Sequence, residues 1–240
     1  MDRIAELFDR MDAWRHLPSY QLERRSDIFF SLYLTEVLEA KLGFAVRPEL
    51  VPEFPLRKGT IYPNVQSGDA LHLDYLALSA AGDRCVLVEL KTDDASRRDV
   101  QDKYLRAAQS CGLPHLLEGV CELFCDTKKH KRKYFALLRY LEQLGLLQIP
   151  AGLTEIMGRG RLQGAVAAAC DITVTAPSAT PDIVYVQPKG DGQPSVRGEY
   201  VIAFPEFADV VERHSDPASQ RFATSLRKWA LEAAGDSEPG

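Results

Sequence analysis

Glu89-Leu90-Lys91 constrains this chain more than any other stretch, because it sets two opposite charges at the end of the apolar run Cys85-Val86-Leu87-Val88. A buried strand rarely ends in ions without a use for them. Side chains alternate along a strand, so Cys85, Leu87, Glu89 and Lys91 share one face while Val86, Val88 and Leu90 share the other. Upstream, Leu71-His72-Leu73-Asp74-Tyr75-Leu76-Ala77-Leu78 reads as a second strand, with Ala80-Ala81-Gly82-Asp83 as the turn between them. A turn centred between Ala81 and Gly82 makes the pair a hairpin and sets Asp74 directly opposite Glu89. The two carboxylates would then stand roughly 5 Å apart, Cβ to Cβ, where they repel unless a cation or a shared proton offsets them. A hard divalent ion bound through oxygen is the natural occupant.

The chain supplies its own control. Glu39-Ala40-Lys41, with Asp27 upstream, repeats the letters in a segment that reads as helix, where residues two apart point about 200° from one another. Only the second copy makes a site. The competing reading of Asp74, Glu89 and Lys91 is a cross-strand salt bridge at a solvated sheet edge.

Asp74, then fourteen residues, then Glu89-Leu90-Lys91 at the end of a hairpin resembles the PD-(D/E)XK nuclease superfamily. The resemblance implies an α/β fold with a restriction-endonuclease-like core: a helix, a three-stranded antiparallel meander, a second helix and a further strand. Residues 26–42 read as the first helix, with Ser26 as N-cap and Gly43 as the stop. Residues 44–51 follow as the first strand, 52–69 as a polar loop, and then the hairpin. Thr92-Asp93-Asp94 offers caps for a second helix over 96–110, with Val100, Tyr104 and Ala108 on one stripe. Leu73 stands where the family often carries Pro.

Phosphodiester hydrolysis needs charge stabilisation around an anionic phosphorus, a nucleophilic water and help for the departing oxygen. On the resemblance, Asp74, Glu89 and the main-chain carbonyl of Leu90 would hold Mg²⁺ or Mn²⁺. Lys91, its pKa depressed beside the metal, would orient or deprotonate the attacking water. An acid on the first helix often completes such sites. Glu36, mid-helix among Leu34, Val37 and Leu38, is the choice, with Glu39 on the same face as the alternative. RecB-like members carry a Gln and a Tyr on the second helix; Gln101 and Gln109 are the candidates here, and Tyr104 reads as core.

A net charge of −5 does not advertise a nucleic-acid partner, but binding follows the local field. Lys128-Lys129-His130-Lys131-Arg132-Lys133, followed by Tyr134, Phe135 and Tyr140, can track a phosphate backbone or equally begin a solvated helix. The five cysteines suit neither a disulfide framework nor the Cys-x-x-Cys spacing of a zinc site. There is no apolar run of about 18 residues, and residues 1–6 lack the layout of an export signal, so a soluble cytoplasmic protein is expected.

Residues 111–170 read as a helical insertion, strands are expected within 172–204, and helices over 206–213 and 218–234 close the chain. The whole, 1–240, reads as one nuclease-like domain. It would be a Mg²⁺-dependent phosphodiesterase acting on nucleic acid, DNA before RNA, with no membrane partner, and cutting both strands of a duplex would favour a two-fold homodimer. The alternative is a non-catalytic nucleic-acid-binding or protein-docking module on the same fold.

Overall fold

The computed structural model describes residues 3–17, 19–92, 99–159, 164–190 and 198–235. In chain order it runs through α1 (Arg3–Trp14), α2 (Leu22–Leu42), β1 (Val51–Arg57), α3 (Lys58–Ile61), β2 (Ala70–Leu78), β3 (Cys85–Leu90), α4 (Asp99–Cys111), α5 (Leu113–Asp126) and α6 (Lys131–Gln143). It continues with β4 (Leu147–Gln148), α7 (Ala151–Gly158), α8 (Ala165–Ala169), β5 (Thr173–Val174), β6 (Asp182–Gln187), β7 (Glu199–Ala203), α9 (Phe204–Val211) and α10 (Pro217–Gly235). The fold is mixed α/β. One sheet has the strand order β1-β2-β3-β6-β7: the first three form an antiparallel meander, and β6 and β7 extend it in parallel. β4 and β5 make a separate small ribbon.

Every residue of β3 is buried, as a central strand covered on both faces requires. Cys85 and Leu87 pack, with Ile183 of β6, under Leu105 of α4 and Leu117 of α5. Val86, Val88 and Leu90 face the other way, toward Phe30 and Leu34 of α2, Phe207 of α9 and Trp229 of α10. The sheet is thus the middle of three layers, and α5–α8 occupy most of the segment read as a helical insertion. Among the described residues no helix is long and apolar enough to cross a membrane.

The hairpin has the register that its turn requires, with Tyr75↔Val88, Leu76↔Leu87, Ala77↔Val86 and Leu78↔Cys85. The Ser79 N–H donates to the Arg84 carbonyl at 2.9 Å, and Gly82 turns the chain at φ 77°.

Three boundaries differ from expectation. First, α2 begins four residues before Ser26, whose buried hydroxyl donates back to the Leu22 carbonyl at 2.8 Å instead of capping. Its end is as expected, with Gly43 at φ 72° and its N–H on the Glu39 carbonyl. Second, the first strand is Val51–Arg57, not 44–51, which adds only an isolated bridge from Val46 to Ser79. Pro52 and Pro55 disguised it as loop, but β1 is an edge strand, where a missing N–H leaves no ladder bond unmade. Third, Val100 is 65% exposed while Tyr104 and Ala108 are buried. The cap at Asp93-Asp94 and the helix start at 96 lie outside the described residues.

Candidate active site

The hairpin ladder runs out at Tyr75↔Val88, and one step further along the register Asp74 faces Glu89. Strict alternation fails at this point. Leu71 and Leu73 belong to the same cluster as Leu76 and Leu78, whereas Tyr75 and Ala77 belong to the other, so the alternation changes phase between Leu73 and Tyr75. β1 slips in step: Val51, Phe54 and Leu56 share the first cluster, and Glu53, set opposite Asp74 by the flanking pairs Pro52↔Tyr75 and Phe54↔Leu73, takes φ 49°. Left-handed backbone at a side-chain-bearing residue costs on the order of 1 kcal/mol and persists only where its surroundings impose it. Asp74 turns to β3, its Oδ2 accepting the Leu90 N–H at 2.6 Å.

Glu89 is 3% exposed, and its Oε1 accepts from Lys91 Nζ at 2.8 Å and from Gln101 Nε2 at 2.9 Å. Its Oε2 is buried without a hydrogen-bond partner among the described residues. Lys91, equally buried, also donates to the Leu90 carbonyl at 2.7 Å and lies 3.6 Å from Glu23 Oε2, on the first turn of α2. The buried Tyr104 hydroxyl is close enough to act as a donor to the Glu89 carboxylate, which favours the Glu89 ion, while burial together with that carboxylate pushes the tyrosine pKa up.

Three carboxylates therefore surround one ammonium. Burial, then the charge of Glu89, pushes Asp74 up to about 7 against the Leu90 N–H, which favours the ion. Burial likewise raises Glu89 against the pull of Lys91. For Lys91 burial opposes the charge, but Glu89, Glu23 and Asp74 outweigh it and hold the amine above the usual lysine value. Without a further cation three carboxylates share one ammonium, an arrangement costly in a low dielectric unless a proton or a metal offsets it.

That surplus fits a hard cation. Asp74 and Glu89 can supply two side-chain oxygens and Leu90 a main-chain oxygen, the donor class Mg²⁺ and Mn²⁺ take. Among the described residues no group of three or more His, Cys, Asp or Glu side chains is arranged to hold a metal, so two acids with carbonyl and water would have to suffice.

Other expected residues lie elsewhere. Glu36 is not with the cluster: its carboxylate is 45% exposed and meets His214 Nε2 at 3.0 Å. Glu39 accepts the Val46 N–H at 2.8 Å, tying α2 to the following loop. The helix acid that reaches Lys91 is Glu23, on the turn of α2 that precedes the expected N-cap at Ser26. Gln101 joins Glu89, whereas Gln109 donates to the Pro181 and Gly198 carbonyls and braces α4 against the strand entrances. Within the basic run, Lys131 is corrected to a structural role. Its buried ammonium bonds the Phe124 carbonyl and, at 3.0 Å, that of Cys125, closing the C-terminus of α5. Lys128, Lys129, Arg132 and Lys133 are exposed. No family model, curated protein or solved structure matches the chain.

Proposed function

We propose that this chain is a metal-dependent nuclease with a restriction-endonuclease-like core, hydrolysing phosphodiester bonds of DNA in the first place. The order of α2, the antiparallel meander β1 to β3, α4, and β6 beside β3 supports the core assignment. One observation carries the chemistry: Asp74 and the buried Glu89 crowd a single buried ammonium, that of Lys91, and burial raises both carboxyls. Mg²⁺ or Mn²⁺, held by Asp74, Glu89 and the Leu90 carbonyl, would supply a Lewis acid that offsets phosphate charge and acidifies a water. Gln101 fixes the rotamer of Glu89 through its second hydrogen bond. In the metal-free site the carboxylates of Glu89, Glu23 and Asp74 favour the charged form of Lys91. Its part is to orient the attacking water and offset charge building on the phosphate oxygens, an electrostatic role.

One observation favours a second reading. Lys91 is already satisfied by Glu89, Glu23 and the Leu90 carbonyl, as it would be in a non-catalytic nucleic-acid-binding or docking module whose ions are structural. Two measurements separate them. Calorimetry with Mn²⁺ should find uptake by the wild type that Asp74→Asn and Glu89→Gln lose. Labelled linear, circular and single-stranded DNA, and RNA, should be cut by the wild type and not by a folded Lys91→Ala. A wild type that takes up no Mn²⁺, or cleavage undiminished in Lys91→Ala, would hand the fold to the second reading.

A further inference from the structure

A groove of about 510 Å³ lies between β1 at the sheet edge and one side of α6. From α6 and its N-cap, His130, Lys133 and Tyr134 reach it at the spacing of a single helical stripe, and Pro52, Pro55 and His72 form the facing wall. Glu53 belongs to that wall and stands opposite Asp74 in the ladder, while His72 is two residues, about 7 Å, along β2 from Asp74. Glu53 therefore sets one end of the groove a single ladder position from Asp74. Away from Glu53 the groove presents the exposed His130 and Lys133, and Lys128, Lys129 and Arg132 are exposed nearby in the chain.

Resting on the reading of Asp74 and Glu89 as a nuclease centre, we propose that this groove holds a single strand of nucleic acid and leads it to the acid pair. Its phosphates would lie on Lys133 and His130, and a base would stack on Tyr134 opposite the exposed ring of Pro52. Charge complementarity and the aromatic platform select this occupant. A polyanion meets the Lys133 ammonium with Lys128, Lys129 and Arg132 exposed nearby in the chain, and ring stacking needs bases that are exposed, as in a single strand and not in a duplex. Glu53 repels phosphate at the inner end, so the strand is held from the basic end of α6. The partly buried Tyr134 presents its ring from a helix, which limits the order lost on stacking.

Anisotropy of a labelled oligodeoxythymidine, titrated with the full chain in EDTA at several salt concentrations, tests this without any cleavage. Tyr134→Ala should weaken binding about tenfold. Lys133→Ala should weaken it and reduce the slope of log affinity against log salt by about 0.7, the value of one lost single-strand contact. Arg10→Ala, which removes the same charge from the opposite helical layer, should change neither. In Mn²⁺ the two groove variants should raise KM with kcat retained, whereas Glu89→Gln should bind the oligomer normally and fail to cut it. Wild-type affinity in both groove variants overturns the groove while leaving the nuclease reading intact. Tighter binding of the matching duplex, weakened by the same substitutions, overturns the choice of a single strand. Oligomer binding that depends on Lys133 and Tyr134 upholds the groove even if no condition yields cleavage, a failure that would fall on the nuclease reading alone.

Discussion

Asp12, in the helical layer, and Glu89, at the end of the sheet, are both buried acids, but their surroundings treat them in opposite ways. Each Asp12 oxygen has a donor: Oδ1 accepts from Trp229 Nε1 at 2.8 Å, and Oδ2 accepts from Arg221 at 2.9 Å with Lys228 at 3.4 Å. Burial opposes its charge, yet Arg221 and Trp229 win and hold its pKa below the usual value. Glu89 shares one ammonium with Asp74 and Glu23, has no cation of its own, and is pushed upward together with Asp74. A carboxylate completed by the fold is scaffold. A pair left short of positive charge reduces stability until something from outside completes it, and this is the physical mark of a site.

The sharpest way to break the contrast is to remove one acid from each cluster. In EDTA, Asp12→Ala should lose about 1–3 kcal/mol by urea unfolding, because the buried Trp229 N–H is left without its acceptor while Arg221 falls back on Asp9 and Ser225. Cleavage per folded molecule should not change. Glu89→Gln retains an acceptor for Lys91, so its stability should stay within about 1 kcal/mol of wild type while cleavage falls about 10²–10³-fold. If Glu89→Gln unfolds as readily as Asp12→Ala, the two clusters are of one kind.

Next in size is the response to metal. Mn²⁺ at about 100 times its Kd should stabilise the wild type by about 2.7 kcal/mol in the same unfolding assay. Asp12→Asn should show the same gain and Asp74→Asn none.

Acidity should separate the clusters by about 1–2 kcal/mol, discounted for the partial exposure of Asp74. With its folded pKa below the ordinary 3.8, Asp12 contributes stability that is present above about pH 4 and lost as pH falls through the folded value. Asp74 has the opposite sign. Held near 7 against an ordinary 3.8, it keeps a proton in the folded state that the unfolded chain releases, so metal-free stability should decline as pH rises from about 4 to 7. Urea midpoints in EDTA across pH 3 to 8 should show both limbs, and Asp74→Asn should flatten the upper one.

The smallest effect belongs to the helix acids. Glu23, 32% exposed and 3.6 Å from Lys91, should lower cleavage less than tenfold as Glu23→Gln. Glu36→Gln should leave cleavage unchanged; a loss there larger than that of Glu23→Gln would restore the mid-helix residue.

Residues near one another in the chain were legible and residues joined by packing were not. The turn at Gly82 and the alternation on either side suffice to align Asp74 with Glu89. The same rule hid the slip at Asp74 and Tyr75, because a phase change shared with β1 depends on the left-handed backbone of Glu53, which no pattern announces. β1 was obscured for a related reason: proline reads as a breaker until the strand is known to lie at an edge. In the run from Lys128 to Lys133, spelling cannot distinguish Lys131, buried on the carbonyls of α5, from its exposed neighbours.

Read as letters, then, the chain was enough to bring an acid pair and an amine to the end of a hairpin, since turn geometry and strand period are local properties. Which carboxylate of α2 would meet that amine was settled by packing. A long helix presents acids at 3.6-residue intervals around its whole circumference, and its rotation against the sheet turned Glu23 toward Lys91 and Glu36 toward His214. The groove depended on assembly as well, because its walls come from an edge strand and a helix more than seventy residues apart, brought together only when both faces of the sheet were covered.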